Sequence, residues 1–157
     1  MNSLLLIATA VGMLEAYLLL YCGTKLVGYA VVHQKLLAAA VFYAILIRLA
    51  RHMLYGVLGI AFGGHIVVGI VSLFLLCHLW LRVPALLSAL AVALGHMLLS
   101  IGTVLVLVLL PNAEPVTFLD VLKMIAAEQA PLILASIVIW RTGVAIVSPK
   151  AVQHVGH

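Results

Sequence analysis

The chain has 157 residues, of which 67% are hydrophobic and 8% charged, with a mean hydropathy of +1.36 and a formal net charge of +4. A water-soluble domain carries about 25% charged residues, so a globule of this composition could not cover itself in water. That excludes a soluble catalytic domain, and it assigns the basic excess to loops on a cytoplasmic face rather than to nucleic-acid binding.

Two stretches, 56–81 and 83–113, contain no Lys, Arg, Asp or Glu, and Arg82 alone separates them. Each exceeds the roughly 20 apolar residues that an α-helix needs to cross a ~30 Å hydrocarbon core. Lipid offers no partners to peptide N–H and C=O groups, so such stretches become helices. The predicted fold is all-α, a polytopic membrane helix bundle of about five crossings, with four or six as alternatives. Residues 1–141 form one transmembrane domain and 142–157 a short cytoplasmic tail.

The first predicted crossing covers residues 3–22. It has no basic residues ahead of its apolar run, and Glu15 interrupts it, which argues against a cleaved signal peptide. A loop at 23–34 carries Lys25 and His33. The second crossing, 35–55, closes in Arg48, Arg51 and His52. The third, 64–81, follows the breaker-rich GVLGIAFGG, where Gly59 and Gly63 either make a small-residue contact or mark the connection. Pro84 opens the fourth, a favourable first-turn position, and PNAEP ends it near residue 110. In 116–129, Phe118, Leu119, Leu122, Ile125 and Ala126 recur at helical spacing, with Asp120 and Lys123 elsewhere on the wheel. That pattern fits a helix lying in the interface, and equally the slanted first turns of the last crossing, which continues through Pro131 to Trp140.

With the N-terminus outside, the inner face receives Lys25, Lys35, Arg82, Arg141 and Lys150. The outer face receives Arg48, Arg51 and Lys123 with Glu114, Asp120 and Glu128. Trp80 and Trp140, beside Arg82 and Arg141, read as inner interfacial anchors. Cys22 and Cys77 form no CxxC pair and read as small apolar fillers near that face.

A charge inside a membrane costs at least ~2.5 kcal/mol, which makes each one a functional candidate. Glu15, Arg48 and His96 are the intramembrane polar candidates. Glu15 and Arg48 lie close enough in depth to pair; otherwise Glu15 bonds a neighbouring helix and Arg48 extends outward. Arg48, Arg51 and His52 fall at i, i+3 and i+4 and share a face. They form an outer basic rim suited to anionic headgroups or an acidic ligand, or they simply end the helix.

Among the other histidines, His65 and His78 stand 13 positions apart (65 to 78) in one helix, about 20 Å along its axis, too far to share a metal. His65 and His96 are matched in depth on adjacent helices, the arrangement a single b-type haem needs. The alternative is that His65 begins a helix and His96 bonds a backbone or hydroxyl acceptor. No HExxH spacing and no Ser or Cys nucleophile motif is present, so no enzyme is predicted and no cofactor is required.

GHIVVGIVSLFLLCHLWLRVPALLSALAVAL, preceded by KLLAAAVFYAILIRLARHMLYG, resembles the N-terminal multi-helix sensor region of Firmicute Agr-type and related histidine kinases. The shared features are Lys35 opening the second helix, Gly64-His65 opening the third, Arg82-Val83-Pro84 between third and fourth, and PNAEPVTFLDVL before the last. The resemblance covers residues 35–141, and the chain ends soon afterwards without a kinase or phosphoacceptor helix. It implies a non-enzymatic stand-alone sensor or input domain in a bacterial plasma membrane, with lipids and another membrane protein or a second copy as partners. Two alternatives stand beside it. One is a haem-binding or quinone-interacting anchor subunit of a respiratory complex, resting on His65 and His96, with His52 as a further candidate. The other is the substrate-binding subunit of a transporter, which needs a polar pocket between helices, with Glu15, Ser100, Thr103 and His96 as its candidates.

Overall fold

The computed structural model describes residues 3–57, 64–109 and 118–147. Their regular structure is helical throughout, as composition predicts: α1 (Ser3–Leu26), α2 (His33–Arg51), α3 (Gly64–Leu75), α4 (Ala85–Leu109) and α5 (Phe118–Thr142). π-Helical turns continue α2 through His52–Val57 and α3 through Leu76–Trp80. Among the described residues, three helices are long and apolar enough to cross a membrane: His33–Gly56, Ala85–Leu109 and Asp120–Thr142, with Ile66–Trp80 a shorter apolar helix. The mixed-polarity segment forms the first turns of α5 rather than a separate helix. No Gly or Pro interrupts 118–130, and Pro131 is accommodated inside the helix.

Helix ends are set by local chemistry. At the end of α1, the Tyr29 N–H donates to the Thr24 carbonyl and the Gly28 N–H to the Lys25 carbonyl, both at 2.9 Å. These two bonds define a Schellman cap, and the left-handed position it requires is Gly28, at φ +74°. The α3–α4 connection turns at Arg82, which adopts φ +59°. His78 Nδ1 and Ser88 Oγ both donate to the Val83 carbonyl, at 2.9 and 3.0 Å, and hold that turn.

Packing centres on α1 and α4. α4 contacts α1 and α5, while α1 also contacts α2 and α5, and α3 lies against α2. Backbones meet where side chains vanish. A Cβ on Gly23 would stand 2.2 Å from the Ala91 carbonyl oxygen, and one on Gly102 would stand 1.9 Å from that of Glu128. Such close approach lets dispersion and tight packing join helices that have no hydrophobic drive to associate in lipid. Among the described residues it is carried by Gly23, Gly95 and Gly102; the Gly59–Gly63 spacing lies outside them.

The core fills one end of the bundle. Leu18–Cys22, Leu73, Cys77, Leu81, Val83, Leu87, Ala91, Leu132 and Ile139 are buried together. Cys22 Sγ donates to the Leu132 carbonyl at 3.6 Å, and both cysteines are buried and free of disulfides. Residues 143–147 fold back after Gly143 (φ +65°). Ile146 N–H donates to the Leu26 carbonyl at 2.6 Å, while Tyr29 Oη donates to the Arg82 carbonyl at 2.9 Å. The part of the expected tail that is described is thus a strap across this end. The bundle's periphery is apolar, with Leu86, Val108, Leu107 and Trp140 largely exposed. A surface of this kind suits hydrocarbon better than water.

Candidate functional site

The five helices alternate in direction, so early residues of α1, α3 and α5 meet late residues of α2 and α4. Where they meet lies a cavity of about 630 Å³. α1 supplies Thr9, Gly12 and Glu15; α2 supplies Tyr43, Arg48 and Arg51; α4 supplies His96, Ser100 and Thr103; α5 supplies Glu128.

Glu15 is placed by the middle of α1, one turn before the packed residues Leu18 and Leu19 begin. Its Oε2 accepts a hydrogen bond from Gln129 Nε2 at 3.0 Å, tying α1 to α5. Gln129 is buried, and its Oε1 has no partner among the described groups. Arg51 and Glu128 both act electrostatically on Glu15. Arg48, one helical turn before Arg51, donates from Nη1 to Thr9 Oγ1 on α1. Depth matching does bring Glu15 and Arg48 to one cavity, but Glu15 takes its hydrogen bond from α5 and Arg48 gives one to Thr9.

Glu128 is positioned by the glycine contact on α4. Because Gly102 has no side chain, the Glu128 backbone sits against α4, and Thr103 Oγ1 reaches its Oε1 at 3.4 Å. Tyr43 is placed by a second close approach, since a Cβ on Gly69 of α3 would lie 2.8 Å from its hydroxyl. His96 turns its Nδ1 to the Val92 carbonyl one helical turn earlier, at 2.9 Å. It lines the cavity and also a separate void of about 10 Å³ beneath it, among Leu19, Thr24, Cys77 and Ala91. His96 therefore stands between the cavity and the packed core.

Glu15, Arg48 and His96 all line the cavity, as do Ser100 and Thr103. Of the basic rim, Arg48 and Arg51 face it, while His52 is exposed and begins the π-helical turn outside its lining. The backbone of His65 begins α3, but its side chain lies outside the described residues, so the His65–His96 haem pairing is not addressed. Among the described residues, no group of three or more His, Cys, Asp or Glu could hold a metal ion.

Thr9, Tyr43, Glu128 and Gln129 are functional candidates that the sequence reading missed. The sequence reading places Glu128 among the outer-face charges, because the segment after PNAEP has mixed polarity. A continuous helix from Phe118 would have made it an intramembrane charge and marked Gln129 beside it.

The fold and site together define a helical bundle with three helices, among the described residues, long and apolar enough to cross a membrane, and a charged cavity at one end. No family model, curated protein or solved structure matches this chain.

Proposed function

We propose that the chain is a non-enzymatic integral membrane protein, an input or partner subunit that receives a small polar ligand in its cavity. In this reading all five helices cross a bacterial plasma membrane, with the N-terminus outside and the C-terminus in the cytoplasm. The cavity then opens toward the outer half of the bilayer, and the strap at 143–147 lies at the cytoplasmic face. Occupancy biases the packing of α2 and α5 against α1, a population shift that a second membrane protein or another copy can read.

The observation that carries this reading is the gathering of Glu15, Arg48, Arg51 and Glu128 around one cavity. Intramembrane charges are costly, and they are retained where they serve a pathway or a ligand. The resemblance to kinase sensor regions supports an input role, and the cavity supplies that role with a place to act.

Directional labelling tests it. Ser100→Cys and Thr103→Cys, in a background with Cys22→Ala and Cys77→Ala, are exposed in intact cells to a membrane-impermeant maleimide. Labelling from outside is the expected result. Labelling confined to inside-out vesicles would overturn the assigned orientation, and no labelling on either side would overturn an accessible site.

A transporter subunit is the second reading, favoured by the place of His96 between the cavity and the void beneath it. It predicts that the same cysteines are labelled from both sides in turn, with ligand shifting the ratio. Input and transport readings part on that ratio.

A further inference from the structure

The chain holds four carboxylates in total, and two of them, Glu15 and Glu128, line one cavity with Arg48 and Arg51. The signs are segregated. Both guanidinium groups come from α2, three residues apart and on one face, while the carboxylates come from α1 and α5. Glu15 takes its hydrogen bond from Gln129 and Glu128 takes one from Thr103, both neutral side chains. The cavity wall carries a cationic side from α2 and an anionic side from α1 and α5.

A simple anion would meet Arg48 and Arg51 favourably but would also face two carboxylates. A simple cation would have the reverse difficulty. A molecule with both signs satisfies both sides at once, and like-charge juxtaposition rejects the single-sign competitors. Gln129, buried and outside the cavity lining, holds Glu15 from behind through its amide N–H, so the carboxylate is oriented by the protein before anything enters. The cavity, about 630 Å³, lies within the roughly 300–1,000 Å³ common for small-molecule sites.

We infer that the cavity binds a zwitterion, its carboxylate or phosphate held by Arg48 and Arg51 and its ammonium by Glu15 and Glu128. This rests on the reading of the cavity as a ligand site. A free amino acid and the headgroup of phosphatidylethanolamine carry the same two groups. Tyr43, Ser100 and Thr103 add hydroxyls to the wall between the charged sides.

The test uses the full chain in nanodiscs of phosphatidylglycerol alone, with thermal unfolding followed as probes are added. The probes are the common L-amino acids, their N-acetyl forms, their methyl esters and, in a parallel set of discs, phosphatidylethanolamine. At least one zwitterion is expected to raise the unfolding midpoint, with its N-acetyl and ester forms inert. A midpoint raised by phosphatidylethanolamine and by no free amino acid would assign the source to lipid, within the same chemistry.

Glu128→Gln and Arg51→Gln should each weaken that binding about 100-fold, the loss that follows truncation of one partner of a desolvated charge pair. Arg51 is exposed, so its variant keeps the fold even where the Glu128 variant does not. An N-acetyl form or an ester binding as well as its parent would overturn the zwitterion while leaving a ligand cavity. Loss of every shift, with Ser100→Cys still labelled from outside, would overturn the zwitterion alone. Loss of both would overturn the cavity reading too.

Discussion

The two ends of this bundle are made from the same five helices and differ in almost every physical respect. At one end Leu18–Cys22, Leu73, Cys77, Val83 and Leu132 pack together around a void of about 10 Å³. At the other, the same helices stand around about 630 Å³ lined by two carboxylates and two guanidinium groups. Gly23 brings backbones together at the first end, and Gly102 does so at the second to place Glu128. Close packing at one end thus frames the charged end, and stability and cavity chemistry become separable along the bundle axis.

That separation can be broken from the packed side first. Gly23→Val drives a branched side chain into the Ala91 backbone, and it should cost about 3 kcal/mol by overpacking, read as loss of a monodisperse peak and a lower unfolding midpoint. Gly102→Val sharpens the comparison, because it should combine a similar loss with displacement of Glu128 and loss of outside labelling at Thr103→Cys. Leu132→Ala, at a fully buried position, should cost about 2–4 kcal/mol by leaving a cavity, with ligand chemistry at the other end unchanged.

Smaller effects are expected from the cavity side. Gln129→Leu removes the donor to Glu15 together with the orphaned Oε1 acceptor, and should shift stability by about 1 kcal/mol. His52→Ala, exposed and outside the cavity lining, should stay within about 0.5 kcal/mol and leave labelling intact. An His52 variant as damaging as the Gly23 one would mean that the division between the two ends is drawn in the wrong place.

Much of the site was legible because membranes make polar residues conspicuous. Glu15, Arg48, His96, Ser100 and Thr103 stand out against apolar neighbours, and helices that alternate in direction place them at similar depth. Glu128 was hidden by its surroundings: among Asp120, Lys123 and two prolines, one more acid looks like part of an interfacial segment. Which partner each charge takes was also invisible, since depth says nothing about rotation about the helix axis. Rotation places Thr9 beside Arg48 and Gln129 beside Glu15.

By itself the sequence determined the helical class, its apolar periphery and where α4 begins, because uncharged runs in hydrocarbon must close their own backbone bonds and because Pro84 acts locally. Tertiary structure alone decided which glycines carry close contacts, that α5 is one helix, and that two acids and two arginines share a single cavity. Those outcomes depend on the azimuth of each helix and on backbone approach across pairs such as Gly102 and Glu128, distances that no one-dimensional pattern encodes.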